Sequence, residues 1–174
     1  MIKMTEVESV SKILFDRLYS EAYPKISHER KRVGDVKLGE SMFKEISLYK
    51  TALYYLDDYP VGLVSYDTIQ YNEKTYFFHR YPTYGVDQNG SRAWWYSEEF
   101  QQVMSEYMKN MNCSGFITMI NPSSAAAMAA KQHFGSFDKY FKVPVEYSIR
   151  SVLGIIMEEA FPGGKCLVID LLEE

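Results

Sequence analysis

Three runs of β-forming residues, cut apart by two turn-forming clusters, constrain this chain more than any other feature: Tyr49–Leu56, Val61–Ile69 and Thr75–Tyr81. Asp57-Asp58-Tyr59-Pro60 separates the first pair, and the polar stretch from Gln70 to Lys74 separates the second. Asp, Asn and Pro favour tight reversals, through side-chain hydrogen bonds to the backbone or a fixed φ. Short strands joined by such turns predict an antiparallel meander of three strands, halted by Pro82.

Helical patterns flank the meander. Upstream, Thr5 to Glu8 fits a capping box that opens a helix, with Val10, Ile13, Leu14 and Leu18 on its buried stripe and Pro24 as its stop. A polar loop then runs from Ser27 to Gly39, and a short helix is expected from Gly39 through Ile46. Downstream, Ser97 to Met111 reads as a helix with Phe100, Val103, Met104, Tyr107 and Met111 on one stripe. Ser97-Glu98-Glu99 suits its start, because a hydroxyl and carboxylates satisfy free amides and the helix dipole there. Gly115–Ile120 is wholly apolar, as in a strand buried on both faces. Asn121-Pro122-Ser123-Ser124 caps an alanine-rich helix over Ala125–Phe134, ended by Gly135. A strand over Phe137–Val143, a helix over Tyr147–Ala160, a Pro-Gly-Gly turn and a last strand over Cys166–Leu172 complete the expectation.

At 174 residues, with 47% apolar and 24% charged side chains, the chain is expected to be one domain, 1–174, with a sizeable core. Its net charge is −4 and its one dense basic run is His28 to Arg32, which argues against general duplex binding but leaves a local nucleic-acid contact open. Cys113 and Cys166 have no metal spacing and read as buried thiols. No apolar run reaches the ~18 residues of a membrane span. The acidic start, MIKMTEVESV, lacks a signal-peptide core. A cytoplasmic protein with no membrane partner and no metal is therefore expected.

The stretch GVDQNGSRAWWYSEEF, residues 85–100, sits where the meander gives way to a helix. Asn-Gly usually marks a hairpin, but a helix follows, so the stretch is a strand-to-helix connection. The alternatives are a surface loop with a solvated Arg, or a loop whose amides hold an anion.

The element order, two helices, three antiparallel strands, then helix, strand, helix and the closing strands, resembles the GNAT superfamily of acyl-CoA-dependent N-acyltransferases. Three stretches carry the resemblance: YPVGLVSYDTI with KTYFFHRYPTYGV, the connection at 85–100, and CSGFITMINPSSAAAMAAKQHFGSF. It implies an α/β (α+β) fold with a mixed, mostly antiparallel central sheet of six to seven strands flanked by four to five helices. Gly62 takes the place of the family's early strand glycine. Gln88-Asn89-Gly90-Ser91-Arg92-Ala93 is similar to the family's Q/R-x-x-G-x-G/A cofactor loop, with Ser91 in place of a glycine. Backbone amides at such a loop bind pyrophosphate, and Arg92 adds a charge-assisted donor. The resemblance thus implies acetyl-CoA contacts at Val86, Gln88, Asn89, Gly90, Ser91, Arg92, Ala93, Asn121 and Ser124. Beside Gly115–Ile120 the family's two strands splay and expose backbone to the pantetheine arm.

N-acylation requires a proton acceptor for the amine and a donor for the leaving thiolate. His79 and Asp87 are candidate bases and Tyr140 a candidate acid, while Tyr81 and Tyr84 flank Pro82 near the acceptor. The family's helical tyrosine is missing: four residues before Gly135 stands Lys131. Trp94 and Trp95 replace small residues, one as a core anchor and the other narrowing the slot. The expected function is transfer of an acetyl group from acetyl-CoA to an amine acceptor. Alternatives are a catalytically lapsed binding or structural module, or a phage-type protein modifying nucleic-acid bases. A homodimer is compatible with either. The acceptor pocket would come from Pro24–Gly39 and Phe141–Tyr147.

Overall fold

The meander forms as its turn chemistry requires. In the computed structural model, which describes residues 1–22, 35–120 and 131–172 (backbone only for 35–38), β2 (Lys50–Leu56), β3 (Tyr59–Tyr71) and β4 (Lys74–His79) follow one another through two tight turns. Asp57 and Asp58 have φ of 49° and 69°, Asn72 and Glu73 of 52° and 63°. Paired positive φ is the signature of two-residue hairpin turns, and Asp and Asn tolerate it.

Upstream lie β1 (Ile2–Val7), α1 (Lys12–Ala22) and α2 (Asp35–Ile46). After β4 come β5 (Thr83–Tyr84), a 3₁₀ turn (Ala93–Tyr96), α3 (Glu98–Asn110) and β6 (Gly115–Ile120). Residues 131–135 are helical, and β7 (Val145–Ser148), α4 (Ile149–Leu153), α5 (Ile155–Ala160) and β8 (Lys165–Asp170) end the chain. The strands pair in the order β1-β2-β3-β4-β6-β8-β7, with β5 on β3. The sheet is mixed: β4 and β6 run parallel, whereas β1–β2, β2–β3, β6–β8 and β7–β8 are antiparallel.

Four sequence expectations are overturned. Thr5 to Glu8 does not cap a helix: residues 2–7 form an edge strand on β2, registered from Ile2↔Leu56 to Val7↔Thr51. Ser11 caps α1 instead, its Oγ accepting from Leu14 N at 3.1 Å. The helix therefore buries Phe15 and Leu18 and leaves Ile13 86% exposed. Phe137–Val143 is not a strand. Phe141 N donates to Phe137 O at 2.9 Å, and the two rings meet at 5.8 Å, a spacing of four that suits a turn. Only an isolated bridge, Phe141↔Leu171, ties it to the sheet region. Finally, Tyr147–Ala160 is interrupted. Tyr147 belongs to β7, Ser148 caps α4 by accepting from Ser151 N at 3.2 Å, and Gly154, at φ 94°, separates α4 from α5.

The chain divides into two compact units, Met1–Asp67 with Arg80–Phe100, and Thr68–His79 with Gln101–Glu174. In the first, Phe15, Leu18, Ile46, Leu53 and Leu63 form a buried cluster that packs α1 onto β2 and β3. In the second, Tyr76, Phe78, Ile117, Ile149, Cys166 and Val168 form another, on one face of β4, β6 and β8. Both cysteines are free and buried, and burial pushes the Cys166 thiol up to about 11. No described helix is long and apolar enough to cross a membrane.

Candidate functional site

In the second unit, β4 and β6 are joined at one end and part at the other. Ser114 N donates to Thr75 O at 2.7 Å, and the ladder continues through Phe77↔Phe116 and Phe78↔Ile117. There it stops. β6 runs on for three residues, paired with β8 on its far side through Ile120↔Lys165. On the β4 side, residues 118–120 have no ladder partner among the described residues. The chain leaves β4 at once: Arg80 N donates to Ser65 O of β3 at 2.8 Å. Backbone polar groups in a sheet interior are nearly always paired, so an unpaired stretch beside a parallel ladder is a place for another hydrogen-bonding partner.

His79 stands at this divergence. Alternation along β4 puts Tyr76 and Phe78 on one face and Phe77 and His79 on the other. The imidazole stacks on Phe116 at 4.8 Å and 22°, meets Phe77 edge-on at 5.2 Å, and lies 6.3 Å from Phe134. It is 1% exposed, and neither ring nitrogen has a hydrogen-bond partner among the described residues. Burial among aromatic rings disfavours the imidazolium and drives its pKa down to about 3. Tyr140 is not brought to His79. Its carbonyl accepts from Leu172 N at 2.9 Å, beyond the end of β8, which pairs with the start of β6 (Gly115↔Asp170).

In the first unit, the connection at 85–93 is held by acids of its own unit. Asp87 Oδ1 accepts from the amides of Asn89 at 2.8 Å and Ser91 at 2.9 Å, and Asp87 O accepts from Gly90 N at 3.0 Å. Asp87 N donates to Ser91 O at 2.9 Å, closing a tight loop in which Gly90 has φ 75°, a conformation glycine adopts without strain. Val86 N donates to Glu21 Oε1 at 3.1 Å, and Ala93 N to Ser91 Oγ at 3.1 Å. The Arg92 guanidinium donates to the Glu21 carbonyl. Gln88 lies exposed at the tip. The amides expected to cradle pyrophosphate at 89, 90 and 91 are thus engaged by Asp87, whose carboxylate sits as an internal anion.

The tryptophans divide as anticipated for one of them. Trp94 is 4% exposed, donates from Nε1 to Gly85 O at 3.1 Å and packs on Tyr54, Tyr84 and Phe100 at 5.4–5.9 Å. A Cβ at Gly62 would come 3.0 Å from its indole, so the glycine noted in that strand makes room for the anchor. Trp95 is half-buried against Tyr84 at 5.1 Å. Asn121, Ser124 and the basic run 28–32 lie outside the described residues. The Asp87 loop is the feature sequence reasoning missed. Its signal was an Asp two residues before Asn-Gly, an arrangement that favours capture of local amides.

No family model matches the sequence, and no curated protein matches it. Solved structures do match its fold. A candidate acetyltransferase of the GNAT family from Desulfovibrio desulfuricans superposes at TM-score 0.57 and 10% identity, covering 99% of both chains. An N-acetyltransferase from Staphylococcus aureus gives 0.51 at 9% identity, covering 98% and 97%. A GNAT family acetyltransferase from Elizabethkingia anophelis, with acetyl-CoA bound, gives 0.52 at 12% identity over 98% of both. At these identities the likeness shows the fold: this chain has a GNAT-like architecture.

Proposed function

Starting from a GNAT-like fold, we propose that the protein is an acetyl-CoA-dependent N-acyltransferase that acts on an amine. The carrying observation is the divergence of β4 and β6 after Phe78 and Ile117. A thin, amide-bearing arm such as pantetheine supplies the donors and acceptors that β6 lacks over 118–120. The fit at 85–93 is conditional. Pyrophosphate would reach the amides of residues 89–91 only by displacing the Asp87 carboxylate. Otherwise it would rest on Gln88, Arg92 and the Ser91 hydroxyl. Bound acetyl-CoA would provide the activated acyl group; the protein's part is to seat it and to receive an amine beside His79. A neutral imidazole of such low proton affinity suits accepting a hydrogen bond from an uncharged amine, better than storing a proton. The amine's proton would then leave to solvent before binding.

The test is an acetyl-CoA titration followed by thermal shift and by amide hydrogen exchange. At a hundredfold excess over Kd, binding stabilises by about 2.7 kcal/mol. The expected result is a saturable rise in Tm with new protection at residues 118–120. Absence of any shift at millimolar acetyl-CoA would falsify the enzymatic reading.

A further inference from the structure

At the closed end of the β4–β6 pair, opposite the divergence, side chains from separate parts of the chain surround a hollow of about 480 Å³. Lys74 begins β4, Lys109 stands in the last turn of α3, Ser114 precedes β6, and Lys142 follows the Phe137–Phe141 turn. Asp170, Leu171 and Leu172 close it from the end of β8. The three ammonium groups face one carboxylate, a local formal charge of +2 in a chain whose net charge is −4. That carboxylate is already engaged: Asp170 Oδ1 accepts from the Tyr76 hydroxyl at 2.7 Å, and Oδ2 lies 3.6 Å from Lys74 Nζ. Backbone donors of the lining are committed to the fold. Lys142 N donates to Asp170 O, Leu171 N to Ser114 O and Leu172 N to Tyr140 O, at 2.7–2.9 Å.

We infer that this hollow is a second ligand site, for a small soluble molecule carrying a phosphate or polyphosphate group. Lysines are compact point charges with three rotatable donors, suited to a multiply charged phosphate rather than to bidentate capture of a planar carboxylate. With the backbone amides engaged, recognition falls to the ammonium groups and the Ser114 hydroxyl. Leu171 and Leu172 offer apolar surface to the rest of the molecule. The site does not depend on the acetyl-CoA reading, because its residues lie at the other end of β4 and β6. A negative potential around the rest of the protein would also make this positive patch selective for small anions that can enter it.

The experiment titrates inorganic pyrophosphate into the full chain and follows backbone amide resonances. Saturable shifts are expected at Lys109, Ser114, Lys142 and Leu171, with Kd below about 1 mM, and affinity falls as salt rises from 50 to 200 mM because exposed charges are screened. Lys109→Gln with Lys142→Gln should weaken binding at least tenfold, with circular dichroism showing that the fold is kept. If the double variant fails to fold, Lys142→Gln alone and the wild-type shift map decide. Shifts confined to residues 85–93, or equal affinity in wild type and variant, overturn the proposal. An oligothymidylate that binds more tightly than pyrophosphate overturns the small-molecule assignment. Acetyl-CoA titrated into the same variant should bind as it does to wild type, which separates failure here from failure of the acyltransferase reading.

Discussion

The loop at 85–93 and the parting ends of β4 and β6 are both stretches of backbone that a GNAT-like fold offers to a cofactor, and they are finished in opposite ways. The loop satisfies itself: Asp87 takes the amides of residues 89, 90 and 91, and Glu21 takes Val86 N and, through its carbonyl, Arg92. Residues 118–120 of β6 have no such partner on the β4 side among the described residues. Local side chains can close a loop, because an Asp reaches amides two and four residues on. A strand's partner must come from elsewhere in the chain or from a ligand. The difference teaches that a motif-like loop can be complete without its ligand, while a truncated ladder cannot.

The largest expected effect tests what holds the loop. Trp94→Ala removes a buried indole that packs on Tyr54, Tyr84 and Phe100, and should cost about 3–5 kcal/mol in chemical denaturation. Trp95→Ala, at a half-buried position, should cost clearly less. Equal losses would show that the loop has no single anchor.

The pH dependence of stability probes the strand side. His79 and His133 are buried, and burial lowers their pKa values from 6.5 to about 3 and about 4. Between those values and 6.5 the unfolded chain binds more protons than the folded one. Their contribution is therefore complete above pH 6.5 and is lost as pH falls towards the folded values. Each histidine should cost about 1.4 kcal/mol per pH unit, or about 2 kcal/mol from pH 6.5 to 5. His79→Phe should roughly halve that slope in urea melts across this range. An unchanged slope would mean that His79 is not dry in solution.

A smaller effect comes from the internal anion. Asp87→Ala removes the acceptor of two amides and should lower stability by about 1–2 kcal/mol. If acetyl-CoA seats its pyrophosphate on those amides, calorimetry should show tighter binding to this variant at low temperature, where the loop stays formed. Unchanged affinity would instead put the pyrophosphate on other groups.

The smallest belongs to the cap of α3, where Ser97 Oγ accepts from Phe100 N at 3.1 Å. Ser97→Ala should cost about 1 kcal/mol in the same melts and leave acetyl-CoA affinity unchanged. A large loss of affinity would tie the start of α3 to the cofactor.

Much of the fold was legible because it is written locally. Turn residues with positive φ at Asp57, Asp58, Asn72 and Glu73, the Ser97 cap, and the apolar run Gly115–Ile120 each determine their own stretch of backbone. The misreadings share one cause. Residues 2–7 carry a capping pattern, yet β2 offered an open edge, and six backbone pairings outweigh a cap. Tyr147 was helix-compatible, but β8 drew it into β7 (Tyr147↔Cys166). At the site, the sequence by itself marked His79 and the 85–93 connection as places of interest. It could not say that His79 lies dry against Phe116, or that the β4–β6 ladder ends after two pairs. It also could not gather Lys74, Lys109 and Lys142 around one hollow. Those facts depend on which distant strands pair and where the pairing stops, and only tertiary packing decides that, because pairing energy is shared between segments that neither sequence pattern specifies alone.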